Sequence, residues 1–406
     1  MRSDSLEAEF QGAVELQRAG RFAEAARAYR TLAAQRLTVN MALNLGVCLH
    51  ELGDRAGALH YLGLAARERP ADAKARRLLG AALAEAGLTD PAERELLAAL
   101  AAQPGDGLAE LALASLYLSL GRYAEGWPLL AARAALHPDV VPPISLGFPE
   151  WRGEPLAGKS VLVWVEQGFG DQIQMARFAN LLKERGAARV TLGCRPQLAR
   201  LFSTLSGIDQ IIPVERGASL QVATHDYWSR YFSLPGPLGV TLETLPAQPY
   251  LSVPDDLRAQ WRGAAGGARV GLVWQASPTG FNAANKGLPA EMAQRLLDCG
   301  AASLHPEDTG AADFADTAAL VEGLDLVVSI DTSVAHLAGA LGKPCWTLLP
   351  YVHCDWRWLR GRSDSPWYPS MTLYRQETPG DWSATVDQVL ADLARAGLAG
   401  PRLAAS

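Results

Sequence analysis

At 406 residues the chain is long enough for two or three domains rather than one small core. A formal net charge of −6, with 20% charged and 49% hydrophobic residues, describes an ordinary globular protein and excludes a general affinity for nucleic acid or acidic membrane surfaces. The five cysteines (Cys48, Cys194, Cys299, Cys345, Cys354) form no CxxC pair and the seven histidines are not spaced as metal ligands, so free thiols and no metal are expected. The charged opening MRSDSLEAEF offers no secretory apolar region and no apolar run has bilayer length. No transmembrane segment and a cytoplasmic location are therefore expected.

The first elements repeat. Gly20, Gly53, Gly87 and Gly121 fall 33, 34 and 34 residues apart. A small residue stands seven positions before each (Ala13, Gly46, Gly80, Ala114) and another five after (Ala25, Ala58, Ala92, Gly126). Pro70, Pro104 and Pro138 keep the same step, as do the apolar Leu62, Leu96 and Leu130. Small residues let antiparallel helices approach, glycine permits the turn between them, and proline closes each unit. Four such units over about 6–138 resemble tetratricopeptide repeats. A helical-repeat domain is expected over 1–140, with a groove for a peptide or protein partner. A role in capping the next domain, or in self-association, is the other reading.

From Lys159 the pattern alternates. Strands are predicted over 160–165, 189–193, 208–214, 269–274, 324–330 and 345–349. Helices are predicted over 172–185, 289–299, 332–341 and 382–396, and an irregular, aromatic-rich stretch over 226–254. Alternation of this kind builds parallel sheets covered by helices on both faces. The fold class is therefore α followed by α/β: a repeat solenoid, then two Rossmann-like lobes over 141–255 and 256–406 with a cleft between them. Ligands in open α/β sheets bind outside the carboxyl ends of the strands, which directs attention to the loops there.

DTSVAHLAGALGKP (331–344) follows the apolar strand LDLVVSI directly. Asp331, Thr332 and Ser333 offer capping oxygens, and the free N–H groups of the first turn make an anion site. His336 lies one turn on, placed to donate to a phosphate or to position Asp331. A well-capped core helix with a satisfied histidine is the alternative. In GFGD (168–171), Gly168 and Gly170 allow a tight turn, and Asp171 either projects into the cleft or caps the following helix. Ile173 stands at the third glycine of a dinucleotide fingerprint, so a nicotinamide site is not expected. Lys286 ends the small-residue loop that begins at Trp274 and Gln275. The run 353–371 interleaves Trp356, Trp358 and Trp367 with arginines, which suits either stacking on a ligand or anchoring of a long loop. No P-loop, HExxH, GxSxG or kinase motif is present.

With the repeats, the segments EQGFGDQIQMARF, GLVWQASP, DFADTAALVEGLDLVVSIDTSVAHLAGALGKPCW and DWRWL…DSPWYPSM resemble bacterial tetratricopeptide-repeat glycosyltransferases. The catalytic half is similar to ADP-heptose:lipopolysaccharide heptosyltransferases of the GT-B type, and the two-part layout resembles protein O-GlcNAc transferases. The resemblance implies an inverting, metal-independent transferase that moves a sugar from a nucleotide-sugar co-substrate, without a cofactor, to a protein acceptor held by the repeats. It makes Asp171 the general base and Lys286 the basic residue at the donor diphosphate. Asp331, Thr332, Ser333 and His336 become the donor-phosphate corner, with Trp274 and Gln275 on the donor side. Phe281 stands where relatives carry a histidine, Lys286 replaces an arginine, and 303–313 is short. Transfer to a glycan or lipopolysaccharide, and a non-catalytic scaffold, are the alternatives.

Overall fold

The computed structural model describes residues 2–139, 141–215, 217, 222–263, 267–278, 280 and 282–400. Four antiparallel helix pairs come first: α1 (Arg2–Arg18) with α2 (Phe22–Gln35), α3 (Val39–Glu51) with α4 (Arg55–Glu68), α5 (Ala73–Glu85) with α6 (Thr89–Ala102), and α7 (Gly107–Ser119) with α8 (Tyr123–Leu129). Each pair turns on one of the four spaced glycines, whose φ values of 72 to 78° lie in the left-handed region that side chains resist. The small positions set the helix spacing. A Cβ at Gly46 would lie 2.6 Å from Leu62 Cγ, and one at Gly80 would lie 2.7 Å from Leu96 Cγ. Asp72 and Asp106, each two residues after a repeat proline, cap the next helix by accepting the N–H of Ala75 at 3.1 Å and of Leu108 at 3.0 Å. A short helix, α9 (Arg133–Leu136), ends the array.

The first sheet follows. Its strands are β1 (Ser160–Trp164), β2 (Arg189–Cys194), β3 (Gln210–Pro213) and β4 (Tyr227–Arg230), with helices α10 (Phe169–Ala176), α11 (Phe178–Glu184) and α12 (Pro196–Phe202) among them. The order is β3-β2-β1-β4 and every pairing is parallel. After α13 (Asp255–Gln260), the second sheet is built from β5 (Val270–Val273), β6 (Ala302–Ser303), β7 (Leu326–Ile330), β8 (Cys345–Leu349) and β9 (Met371–Arg375). Between these strands run α14 (Ala283–Lys286), α15 (Ala290–Asp298), α16 (Pro306–Thr309), α17 (Phe314–Glu322) and α18 (Ser333–Ala340), and α19 (Ser383–Arg395) closes the chain. The second sheet has the order β6-β5-β7-β8-β9, again all parallel.

Three expectations are corrected. The stretch 226–254 is not wholly irregular, because Tyr227–Arg230 pairs beside β1; a four-residue strand with polar Ser and Arg carries no apolar period. The single helix expected over 172–185 is two helices that break at Arg177, whose Nε donates to the Gln174 carbonyl at 2.9 Å. Strands β6 and β9 were not foreseen, β6 because it is only two residues long.

Repeats and sheets share one core. A single cluster of buried residues runs from Leu118, Tyr123 and Trp127 in the last repeat through Val163 and Phe178 to Trp358 and Trp367. Arg133 of α9 forms a buried ion pair with Glu166 at 3.0 Å, at the end of β1, and the Trp127 indole N–H donates to Val240 O at 2.9 Å. The repeats also meet the second lobe through their turns. Gly53 lies against Val352 and Pro379, and Arg360 bonds to Ser119. Among the described residues no helix is long and apolar enough to cross a membrane.

Candidate functional site

Helix α10 begins just beyond β1 and helix α18 just beyond β7, at the carboxyl ends of the two sheets. Their first turns face one another. A Cβ at Gly170 would lie 2.8 Å from His336 Cδ2 and 3.3 Å from Ser333 Cα, so the glycine is what allows the two helix starts to close. Gln167, just before the loop, is held at φ 63°, a conformation seldom taken by a side-chain-bearing residue. The cap that GFGD suggested is present: Gly168 N–H donates to Asp171 Oδ2 at 3.0 Å.

Asp171 is also gripped from the other lobe. Arg357, in the loop after β8, donates through Nη2 to Asp171 Oδ1, through Nη1 to Asp355 Oδ2 at 2.5 Å, and through Nε to the side-chain carbonyl of buried Gln174. The guanidinium lies over Trp356, 4.9 Å from its ring centroid. Sequence reasoning placed Arg357 in an arginine–tryptophan run and gave it no separate role. The available signal was DWR: an aspartate two residues before an arginine, which here accepts both the Arg357 N–H and its side chain.

The site therefore concentrates opposite charges in largely buried surroundings. Burial raises the Asp171 carboxyl above its ordinary range, while Arg357 and the Gly168 N–H pull it back. Burial raises Asp331 to about 6, Asp355 pushes the same way, and Lys286 and Arg357 oppose them. Lys286, at the end of α14, is thus within electrostatic reach of Asp331. Trp274 packs edge-on against His305, with ring centroids 4.3 Å apart, and Gln275 is exposed. Phe281 lies outside the described residues.

Two sequence expectations change form here. Thr332 occupies the N-cap position of α18 but makes no side-chain cap bond; its hydroxyl lies 3.0 Å from Ser329 Oγ instead. Thr332 and Ser333 remain partly exposed at the helix start. His336 is buried rather than open to a ligand. Its Nδ1 lies 3.0 Å from the Tyr368 hydroxyl, its ring stacks on Trp358 at 5.3 Å, and its Nε2 is 4.0 Å from Asp331. Burial, with Arg357 and Arg177 nearby, lowers its pKa well below the usual histidine range, so the ring is neutral. Of the tryptophans, Trp358 and Trp367 are fully buried and Trp356 packs at right angles to Trp127, which makes them anchors of the loop.

Residues 283–353 match the family model of glycosyltransferase family 9 (heptosyltransferase). The chain is 27% identical to Protein FlbA of Caulobacter vibrioides over 396 residues, which takes in 85% of this chain and 65% of that protein. A glycosyl transferase of family 9 from Veillonella parvula DSM 2008 is similar in structure over 60% of this chain and 99% of its own, with 12% identity and a TM-score of 0.45. YrrB, described as a TPR protein with an unusual peptide-binding site, is similar over 34% of this chain and 71% of its own, with 22% identity and a TM-score of 0.30. The chain thus joins a helical repeat region to an α/β region in which residues 283–353 match the glycosyltransferase family 9 (heptosyltransferase) model.

Proposed function

We propose that the protein is an inverting glycosyltransferase that moves a sugar from a nucleotide-sugar donor to a protein acceptor recruited by the repeats, with no metal ion in the transfer step. The observation that carries this reading is the position of the family-matched segment. It contains Lys286 and the Asp331–His336 turn, and it lies against the loop bearing Asp171.

Asp171 takes the acceptor hydroxyl proton as that oxygen attacks the anomeric carbon. The bond from that carbon to the diphosphate breaks, and its electron pair leaves with the nucleoside diphosphate. Negative charge then builds at the start of α18, where first-turn N–H groups, Ser333 and Lys286 stabilise it. Arg357 aims Asp171 and opposes the rise that burial gives its carboxyl, and must release one carboxylate oxygen when the acceptor arrives. His336 serves by position: wedged between Gly170 and Trp358, it keeps the two helix starts in register. The exposed large apolar side chains among the described residues (Leu37, Leu52, Leu88, Leu97, Leu108 and Leu120) all belong to the repeats, which favours a protein acceptor over a glycan.

The test is intact-mass measurement of a protein retained by the full chain, after incubation with nucleotide sugars that raise the melting temperature. A sugar-sized increment is expected with the wild type, and a rate lower by about 100- to 10,000-fold with Asp171→Asn, the usual contribution of a positioned base. No melting shift with any nucleotide sugar, or modification of a glycan in place of the protein, overturns the reading.

A further inference from the structure

The joint between the repeats and the second lobe contains a cluster that the transfer reaction does not use. His50 and Glu51 end α3, Glu85 ends α5, and His353 stands in the loop after β8. Nitrogen or oxygen atoms of His50, Glu51 and His353 all lie within 4.8 Å of one another, and among the described residues this is the one such group of three. His353 Nε2 is 3.1 Å from Glu51, and the two imidazoles sit edge to face with centroids 5.2 Å apart. On the far side of the ring, Nδ1 lies 3.5 Å from Glu85 Oε1. Because the two carboxylates approach opposite ring nitrogens, one of them faces the cluster and the other can only orient the ring.

We propose that His50, Glu51 and His353 bind one divalent cation of the zinc type, with Glu85 holding the His353 ring, and that this ion fastens the second repeat to the loop that carries Arg357.

The chemistry of the donors fits. Two imidazoles and a carboxylate form one of the recurring zinc ligand sets, with a further position left for water. A cavity of about 10 Å³, bordered by His50, Glu85 and Tyr351, adjoins the cluster and has room for about one water. A carboxylate on the non-ligating nitrogen is the usual outer partner of a metal-bound histidine, fixing its tautomer and direction. The carboxyl ends of α3 and α5 both point here, and their dipoles favour a cation. His353 is held at φ 52°, and Asn282 fastens its carbonyl at 3.2 Å and that of Val352 at 2.7 Å, so the chain is bent to bring the ring in. Two arginines lie close by and are engaged elsewhere. Arg55 stacks 3.6 Å from the centroid of Tyr351, and Arg360 donates to Ser119.

This inference is independent of the transfer reading and is tested without activity. The full chain, stripped with a chelator, is titrated with Zn²⁺ by calorimetry, and the bound metal is counted after gel filtration. One equivalent is expected, with a rise in melting temperature. His50→Gln and Glu51→Gln should each abolish that equivalent, and Glu85→Gln should weaken it by about 10- to 100-fold, as loss of an outer partner does. His60→Gln, at an exposed histidine of the same repeat, should leave binding unchanged. If the wild type takes up no stoichiometric Zn²⁺, or if His50→Gln and Glu51→Gln bind it as the wild type does, the site is only an ion-paired joint and the inference fails.

Discussion

Burial and Asp355 together lift the pKa of Asp331 to about 6 against an ordinary 3.8, so the folded protein holds that proton more tightly than the unfolded chain does. The sign of the effect follows. Below both values the carboxyl is protonated in either state and stability is untouched. As pH rises from about 4 to about 6, the unfolded chain ionises first and the native state loses ground, and above that the loss is constant. Asp331→Asn should therefore raise the melting temperature at pH 7, by the equivalent of about 1–3 kcal/mol at 1.4 kcal/mol per pKa unit. The gain should disappear near pH 3.5; an equal gain at both pH values would show that the carboxylate is not strained. A carboxyl that weakens the fold at the start of α18 is in keeping with the transfer site proposed above. Asp331 and Asp171 were legible as candidates because helix-opening aspartates after apolar strands stand out. Arg357 was not. Its importance comes from joining a loop of one lobe to a helix of the other across 186 positions of sequence.

The contact between α10 and α18 governs how closely the two sheet ends approach. Gly170→Ala would place a methyl 2.8 Å from His336 and 3.3 Å from backbone of α18, where one contact is a ring and the other cannot move alone. A loss of about 1–3 kcal/mol is expected, as for overpacking elsewhere. Adding His336→Ala makes room for the methyl, so the double mutant should be less destabilised than the two single effects summed. Strict additivity in denaturant melts would show that the helices do not touch as described. Elements with a clear period were read well: Cys345–Leu349 matches its expected bounds, and α18 differs by one residue at each end. Those lost were two shorter strands, β4 and β6, and β9, which at five residues is as long as β8. Tyr227–Arg230 and Ala302–Ser303 exist because neighbouring strands supply hydrogen bonds, and nothing in four or two residues announces that. The cap on α18 failed for a related reason, since Ser329, buried in β7, drew away the Thr332 hydroxyl.

Across the whole molecule, the repeats and both sheets are one packed body. The 34-residue rhythm made the solenoid plain, but the pattern of glycines could not show where it docks. Trp127 of α8, buried against Trp356 and Trp367, belongs to the core of the α/β region as much as to its own repeat. The full chain should therefore show a single calorimetric transition. Trp127→Ala should lower that whole transition, by about 3–5 kcal/mol, rather than split it. Two separated transitions in the wild type would mean that repeats and sheets fold as independent units. The metal ligands were equally invisible in sequence, because His50 and His353 lie 303 positions apart and only the docking brings them together.

The buried pair between Arg133 and Glu166 has a consequence for engineering. Glu166 opens the same loop that leads to Asp171, so the last helix of the array grips the backbone that positions Asp171. A chimaera that replaced the repeats together with α9 would remove Arg133 and leave the buried Glu166 carboxylate without its direct ion-pair partner, holding only the Phe232 N–H. Grafting a foreign helical module should succeed only if the splice falls before α3, retaining the second to fourth repeats, whose Glu51, Gly53 and Glu85 also meet the second lobe, together with α9, and exchanging only the first repeat.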